Sequence, residues 1–141
     1  MLRRHLTLLA LALVAISIAC NDPVTSPSGF AAYSQTDLLV GTGTAAETGS
    51  LLSVRYTGWI FDRNASDSKG LQFDASAEDP FTFTLGAGQV ILGWDQGLVG
   101  MRVGGRRRLV IPPSLAYGAS RNRSIPPNAT LVFDVELVEV Q

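Results

Sequence analysis

Residues 90–101, with the sequence VILGWDQGLVGM, decide the fold of this chain. The apolar members of the stretch recur at intervals of three and four, as on one face of a helix, whereas the runs around it alternate apolar and polar residues as strands do. Glycines inside the stretch keep the helix short, because each costs about 1 kcal/mol relative to alanine in a helix interior. We therefore predict one short apolar helix that lies across the concave face of a sheet.

Three residues of this helix have large apolar side chains that are expected to point at the sheet. Leu98 and Met101 are expected to pack in the core, as such residues usually do. Trp94 has a large indole that is rarely buried completely, so it is a candidate for the floor of a pocket as well as for the core. The surrounding sequence is needed to distinguish a core role from a pocket role for Trp94.

The composition indicates one globular domain. The chain has 141 residues, of which 46% are hydrophobic and 16% are charged, and this length is typical of a single domain. If the chain is cut before Cys20, the loss of Arg3 and Arg4 leaves 9 of the 11 basic side chains against 12 acidic ones, a formal charge of −3. A mildly acidic protein is a poor partner for nucleic acid.

The N-terminus has the pattern of an export signal. Arg3, Arg4 and His5 precede an apolar run over residues 6–19, which is too short to span a bilayer comfortably. Residues 17–20, SIAC, resemble the bacterial lipobox, and this resemblance implies lipidation of Cys20 and anchoring in the cell envelope, facing the periplasm or the exterior. The alternative is an ordinary secretory signal with an incidental cysteine. We expect a signal peptide over 1–19 and a Pro-, Ser- and Gly-rich tether over 20–35.

The domain predicted for residues 36–141 is built mainly of strands. A short edge strand is expected at 37–40, and longer segments with strand patterns occupy 52–61, 71–74, 81–85, 106–111 and 129–140. In the last of these, Leu131, Phe133, Val135 and Leu137 are expected to face inward. The three arginines at 106–108 are interpreted as a solvated strand end, with an anion-binding patch as the alternative. About five strands around one short helix make an α+β half-barrel.

The residues that the chain lacks exclude several kinds of chemistry. Its single histidine and single cysteine both lie in the first 20 residues, so the domain has no metal site of the His/Cys kind and no Ser-His-Asp or Cys-His arrangement. Its glycine pairs lack the spacing and the lysine of a phosphate-binding loop. We expect no metal and no cofactor, and an enzyme of this composition would need neither a nucleophile nor a proton shuttle.

Aromatic residues are the chemistry that the domain does offer. Each of them alone is more simply explained as core, but six rings that face one concavity exceed what a small core requires. Apolar pockets with a few polar groups are the usual form of a binding site. The six are Tyr56, Phe73, Phe81, Trp94, Tyr117 and Phe133.

Six blocks of sequence carry a resemblance to a known family. In chain order they are VRYTGW (54–59), FDAS (73–76), PFTF (80–83), VILGWD (90–95), AYG (116–118) and IPPNATLVFDVEL (125–137). They are similar to the FKBP-type peptidyl-prolyl cis-trans isomerases over about residues 36–141. The resemblance implies a curved antiparallel sheet wrapped around one short helix, and catalysis of X–Pro bond rotation in exported protein chains. It also implies a proline-containing polypeptide as substrate, macrolides as inhibitors and a monomeric enzyme.

The resemblance assigns roles to particular residues. Trp94 would be the floor beneath the proline ring, and the Ile91 backbone N–H and the Tyr117 hydroxyl would hydrogen-bond the bound peptide or macrolide. Asp74 would accept a hydrogen bond from Tyr56. The walls would be Tyr56, Phe73, Phe81 and Phe133, completed by Val90, Ile91 and Ile125.

Three segments near the expected pocket depart from the family pattern. Residues 62–70 are longer than usual, the turn at 75–79 is shorter, and the loop at 119–124 is one residue shorter and contains Arg121 and Arg123. Two other functions stay open beside the isomerase. The domain would serve as a proline-binding module or chaperone with little turnover, or as a scaffolding or adhesive surface lipoprotein.

Overall fold

The computed structural model describes residues 30–141, so the predicted signal peptide and Cys20 lie outside the described residues. The helix α1 spans Leu92–Gly97, and short 3₁₀ turns occupy Ser66–Ser68 and Pro113–Leu115. Six strands make up the rest of the regular structure: β1 Ser34–Leu39, β2 Leu51–Phe61, β3 Lys69–Ala75, β4 Phe81–Thr84, β5 Arg106–Ile111 and β6 Leu131–Val140.

The strands form one antiparallel sheet in the order β1-β5-β6-β2-β3, and β4 also pairs with β2. The first half of β2 pairs with β4 and the second half pairs with β3, so one edge of this long strand holds two partners in succession. The predicted α+β class, with a curved antiparallel sheet around one short helix, is confirmed. The sheet has six strands where about five were expected.

The core lies between the concave face of the sheet and α1. Leu131, Phe133, Val135 and Leu137 of β6 point into it, as their alternation predicts. The predicted core residues of the helical stretch, Leu98 and Met101, are buried as well, and so is Trp94. The hydrophobic alternation of the strands therefore builds a single core that covers one side of α1.

The helix is shorter than the sequence pattern suggested. It begins at Leu92, because the preceding Ile91 has an extended backbone with φ −60° and ψ 150°. Val90 and Ile91 were expected on the helix face, but they belong to the turn that leads into the helix and are half-buried. This position leaves both residues beside the concavity instead of beneath the helix.

The N-terminal strand begins earlier than predicted. β1 starts at Ser34, so Ser34 and Gln35, assigned above to the tether, pair with Val110 and Leu109 of β5. Every side chain of β1 is exposed. The strand therefore has no apolar alternation by which its start could be recognised, and the pairing of Ser34 and Gln35 with β5 sets where it begins.

The interpretation of residues 106–108 as a solvated strand end is wrong for Arg107, which is only 7% exposed. Its guanidinium binds Asp37 of β1 and two carbonyls at the end of α1. Arg108 is half-buried and forms a two-bond contact with Asp134, and only Arg106 is exposed. No helix within residues 30–141 is long and apolar enough to cross a membrane.

Candidate functional site

An open cavity of about 160 Å³ lies on the concave side of the sheet, where the first turn of α1 faces β3, β4 and β6. Nine of the ten residues predicted for the pocket border it. With Gln89, which was not predicted, its walls are Tyr56, Phe73, Asp74, Phe81, Gln89, Val90, Ile91, Trp94, Tyr117 and Phe133. We call this space the aromatic cavity.

Trp94 forms the floor of the aromatic cavity and is 4% exposed. Its ring meets Tyr56 edge-on at 5.1 Å and Phe133 edge-on at 5.3 Å between centroids, which is the favoured geometry for aromatic pairs. The helix can bring Trp94 this close to the sheet because it packs through glycines. A Cβ atom on Gly97 would lie 2.7 Å from the side chain of Leu109 in β5, too close for any larger residue.

Two walls of the cavity depend on another glycine. Phe73 of β3 and Phe133 of β6 meet edge-on at 5.5 Å between centroids. Between them lies Gly58 of β2, where an added Cβ would come within 2.7 Å of the Phe133 ring and 2.8 Å of the Phe73 ring. The Gly58 position in VRYTGW therefore permits both rings to pack over the middle of the sheet.

The rim of the cavity is aromatic and open to solvent. Phe81 is 41% exposed and stacks on Phe83, with 5.7 Å between their centroids. Tyr117 is exposed as well, in the loop that follows the second 3₁₀ turn. Large exposed rings beside a buried indole are typical of a site that covers an apolar ligand.

One hydrogen bond joins the polar groups of the cavity. The Tyr56 hydroxyl donates to Oδ2 of Asp74 at 2.8 Å, as predicted, and Oδ1 of the same carboxylate accepts from the backbone N–H of Ala75 at 2.9 Å. Burial raises the pKa of Tyr56 to about 12, and the hydrogen bond to Asp74 adds to this effect. The hydroxyl therefore stays protonated over the whole physiological pH range.

Three hydrogen-bond donors at the cavity have no partner within residues 30–141. The Tyr117 hydroxyl and the Ile91 backbone N–H lack an acceptor there, and the Trp94 Nε1–H is buried without one. Buried donors without an acceptor are rare in folded proteins. The Ile91 N–H and the Tyr117 hydroxyl, which belong to the cavity walls, are the donors available to a ligand that brings carbonyl oxygens.

Gln89 was missed because an isolated glutamine in a glycine-rich turn gives no sequence pattern. Its side-chain oxygen accepts from the backbone N–H of Thr84 at 2.8 Å, at the end of β4. Asp95 of α1 holds the same turn, because its carboxylate accepts from Gly86 and Gly88 at 2.8 and 3.1 Å. These bonds fix the turn that carries Val90 to the edge of the cavity.

Ile125 is the one predicted pocket residue that does not border the aromatic cavity. It is buried beneath an adjoining cavity of about 300 Å³, which it shares with Phe73, Asp74 and Tyr117. The loop at 119–128 holds Ile125 below the surface through paired backbone bonds with Asn122. Its side chain therefore supports the neighbouring space instead of completing the predicted walls.

Strands β1 and β5 hold the pocket-floor helix from behind. Nη1 of Arg107 donates to the carbonyls of Gly97 and Val99 at 2.8 and 3.1 Å, while its Nε donates to Asp37 at 2.6 Å. The Tyr33 hydroxyl, just before β1, lies 3.4 Å from the Gly93 carbonyl and 3.3 Å from Oε1 of Gln35, and its single proton is shared between these two acceptors. We call Arg107, Asp37 and Tyr33 the helix clamp. Burial raises the pKa of Tyr33, although the charge of Arg107 opposes this shift.

The cavity contains no arrangement typical of metal or nucleophilic chemistry. Across residues 30–141, no group of three or more His, Cys, Asp and Glu side chains is placed to hold a metal ion. The groups that the cavity offers are aromatic faces, neutral hydrogen-bond donors and one carboxylate whose two oxygens already accept hydrogen bonds. Such a site can bind an apolar ring and orient carbonyl oxygens.

Comparison with known proteins gives consistent matches. FK506-binding protein 4 of Dictyostelium discoideum is 49% identical over 119 residues, which cover 84% of this chain and 30% of that protein. FK506-binding protein 2B of Rhizopus delemar is 54% identical over 99 residues, 68% of this chain and 44% of its own length. The chain thus spans less than half of these two relatives. The FK506-binding protein of Neisseria meningitidis serogroup B is 47% identical over 107 residues, 74% of this chain and 92% of that protein.

Solved structures agree with the sequence matches. FkpA from Escherichia coli superposes with a TM-score of 0.65 at 40% identity, over 77% of this chain and 48% of that one. A peptidyl-prolyl cis-trans isomerase from Pseudomonas syringae pv. tomato gives a TM-score of 0.64 at 37% identity, over 77% and 75%. The sequence profile of the FKBP-type peptidyl-prolyl cis-trans isomerases matches residues 42–138. With more than half of its length matched, this chain belongs to the FKBP-type peptidyl-prolyl cis-trans isomerase family.

Proposed function

We propose that this protein accelerates cis–trans isomerisation of X–Pro bonds in polypeptides. The observation that carries the proposal is the aromatic cavity, in which Trp94 floors a space large enough for a small ring and neutral donors lie at its edge. A proline ring is apolar, and the amide before it has a carbonyl oxygen for which those donors are suited. Family membership supports the same activity.

The physical barrier explains why such a site suffices. An X–Pro amide rotates over about 18–20 kcal/mol because resonance gives the C–N bond partial double-bond character. The twisted amide has lost that resonance and is less polar than the planar one. An apolar cavity therefore disfavours the planar ground state relative to the twisted state. Lowering the barrier by about 7 kcal/mol accelerates the step about 10⁵-fold, without any ionising catalyst.

In this mechanism each wall has a separate task. Trp94 and Phe133 contact the proline ring and exclude water from the rotating bond. The Ile91 N–H and the Tyr117 hydroxyl hold a carbonyl of the chain, so that rotation occurs about one fixed end. Tyr56, bound to Asp74, keeps a neutral hydroxyl at the wall. The positions and free donors described above support these roles.

The test is turnover of a short X–Pro peptide, followed by the exchange between its cis and trans NMR signals. We expect the purified chain to accelerate the exchange and Phe133→Ala to reduce kcat/KM at least tenfold. Val40→Ala should leave kcat/KM unchanged, because Val40 is exposed and does not line the cavity. If the wild-type chain binds the peptide without accelerating exchange, the protein is a proline-binding module and the isomerase proposal fails.

We also propose that FK506-type macrolides occupy the same cavity. The names of the relatives from Dictyostelium, Rhizopus and Neisseria support this proposal. A macrolide that fills the space above Trp94 would compete with the peptide, so it should raise the apparent KM without changing kcat. Inhibition that peptide cannot relieve would place the macrolide elsewhere.

We propose further that the protein acts as an exported monomer anchored through Cys20. The charged N-terminal residues, the apolar run and the small residue before the cysteine support export and lipidation. The monomeric state is supported by the cavity, whose walls all come from one chain. Stable anchoring requires more than one acyl chain. Cys20→Ser should release the protein from membranes, and mass spectrometry should find acyl groups on the wild-type chain alone. A monomeric mass is expected from light scattering of Cys20→Ser.

A further inference from the structure

Two more cavities continue the aromatic cavity along β3. The nearer one, of about 300 Å³, shares Phe73, Asp74 and Tyr117 with the aromatic cavity. The farther one, of about 410 Å³, shares Ser124 with the nearer one. Together they form a depression, which we call the side groove, and its remaining walls are Ile60, Phe61, Asp62, Gly70, Leu71, Asn122, Arg123, Ile125 and Pro126.

The far end of the side groove is apolar and exposed. Leu71 is 69% exposed, although it lies in a strand only two residues before the pocket wall Phe73. Pro126 is exposed beside it, and Ile60 and Phe61 line the same space. A single exposed leucine needs no explanation, but an apolar patch that adjoins a proposed active site is a candidate binding surface.

The near end of the side groove is polar and offers a positive charge. Arg123 has no hydrogen bond and no ion pair within residues 30–141. The carboxylate in this part of the groove, Asp74, already accepts from Tyr56 and from the Ala75 N–H. Both donors are neutral and leave the charge of Asp74 in place, but they engage both of its oxygens, so the guanidinium of Arg123 is the charged group at this end whose hydrogen-bond donors are free for a ligand.

The walls that the side groove shares with the aromatic cavity indicate what the groove binds. Anything that fills the side groove touches Phe73 and Tyr117, because they are walls of both spaces. The side groove therefore begins where the aromatic cavity ends, so the continuation of a polypeptide bound in the aromatic cavity enters the side groove directly. Strand residues rise about 3.3 Å each, so Leu71 lies about 7 Å along the strand from Phe73, a span that two residues of an extended peptide cover.

We propose that the side groove binds the substrate chain beside its proline, and that it selects an apolar side chain two or three residues from the proline with an acidic residue between them. This specificity rests on the isomerase function proposed above. Leu71 contacts the apolar side chain of the substrate, and Arg123 pairs with the acidic one. Both residues thereby determine which X–Pro bonds the enzyme prefers.

The apolar contact is tested with a series of peptides. The parent peptide has alanines around one Ala-Pro bond, and its derivatives carry leucine two or three positions before or after the proline. We expect at least one derivative to exceed the parent about tenfold in kcat/KM. In Leu71→Ser the kcat/KM of the best derivative should fall to about that of the parent peptide. Leu39→Ser, which changes an exposed leucine of β1, should retain the wild-type ratio of the two kcat/KM values. An unchanged ratio in Leu71→Ser, or no gain for any derivative, overturns the proposal.

The charged contact is tested by reversing it. At low salt, the wild-type protein should show a several-fold higher kcat/KM for peptides with glutamate than with lysine between the proline and the leucine. Arg123→Glu should invert this preference. Because screening weakens exposed charge pairs, 0.5 M salt should reduce both preferences. Arg106→Glu, another exposed arginine outside the groove, serves as the control and should keep the wild-type preference. Preferences that Arg123→Glu leaves unchanged refute the role of Arg123.

The two proposals fail in different ways. Turnover of the parent peptide without any gain from leucine refutes the side groove and leaves the isomerase intact. If no peptide is turned over, the isomerase proposal fails, and calorimetric affinities of the same peptides then decide whether the side groove binds them. Equal affinities for parent and derivatives would overturn the groove in that case too.

Discussion

Replacing Arg107 by methionine should destabilise the protein far more than the same change at Arg106, the preceding residue of β5. Methionine keeps most of the aliphatic length of arginine, so the change removes charge and hydrogen bonds with little loss of packing. Arg107 is buried between β1 and the end of α1, while Arg106 is exposed. The pair thus compares two neighbouring arginines in different environments.

The expected loss follows from the bonds of the helix clamp. Arg107 donates to Gly97 and Val99 at 2.8 and 3.1 Å, and to the two oxygens of Asp37 at 2.6 and 3.2 Å. The orphaned carbonyl of Gly97 is buried and costs about 1–3 kcal/mol, whereas that of Val99 is only partly buried and costs less, because water can reach it. Asp37 is 40% exposed, so water replaces much of its pairing and we assign it less than about 1 kcal/mol. The sum predicts about 3 kcal/mol for Arg107→Met and less than about 0.5 kcal/mol for Arg106→Met.

Urea unfolding measures the difference, with the shift in midpoint read at constant m-value. Trp94 reports on the pocket floor by fluorescence if Trp59 is first replaced by phenylalanine, and quenching by acrylamide should increase in Arg107→Met. Asp37→Asn should lie between the two arginine variants. Equal midpoints for Arg107→Met and Arg106→Met would refute the reasoning, because they would show that the helix end is held by apolar packing alone.

Four further outcomes are expected. Phe133→Ala, which removes a buried wall, should cost about 3–5 kcal/mol of unfolding free energy, and an unchanged midpoint would contradict its burial. The isomerase rate should be flat between pH 6 and 9, since the pKa of Tyr56 is raised to about 12, and a bell-shaped profile would contradict the non-ionic mechanism. Burial acts to raise the pKa of Asp134, but its hydrogen bonds from Arg108 and Lys69 outweigh burial and lower the pKa. The stability that Asp134 contributes is therefore fully present above its unfolded pKa of about 4 and is lost as the pH falls through its folded pKa. The difference in unfolding free energy between wild type and Asp134→Asn should shrink over the same pH range. A difference that stays constant from pH 7 to 2 would refute this prediction. Tyr33→Phe, which removes one bond of the clamp, should cost about 0.5–1.5 kcal/mol, and a neutral result in calorimetry would show that the Gly93 carbonyl finds another donor.

The sequence predicted most of the aromatic cavity because its walls lie on regular elements. Phe73, Phe81 and Phe133 occupy strands whose alternation gives their direction, and Trp94 lies at the one helical stretch. Tyr117 lies in a loop, where hydrophobic periodicity gives no information, and it was predicted from the order of the family motifs. Where local periodicity determines the direction of a side chain, a single sequence is sufficient.

The features that the sequence missed depend on contacts between distant segments. Arg107 and Asp37 are separated by 70 positions, and nothing local distinguishes a buried arginine from its exposed neighbour in a run of three. Gln89 borders the cavity because its side chain binds the end of β4. The start of β1 is set by pairing with β5 and not by any apolar face. Each of these features is determined by tertiary structure.

The polar groups of the aromatic cavity also explain how a site without an ionising catalyst gains from substrate binding. Trp94 Nε1–H is buried without an acceptor among residues 30–141, and such a donor costs about 1–3 kcal/mol while it stays unsatisfied. That nitrogen is enclosed by the protein, so the donors that a ligand carbonyl can reach are the Ile91 N–H and the Tyr117 hydroxyl at the cavity walls. A twisted amide keeps its carbonyl oxygen but no longer shares its nitrogen lone pair with it. Fixed donors around an apolar floor can hold that oxygen in place while the C–N bond turns. The donors at the walls and the aromatic floor then serve the same step, because the donors fix the carbonyl end and the floor accommodates the ring that moves.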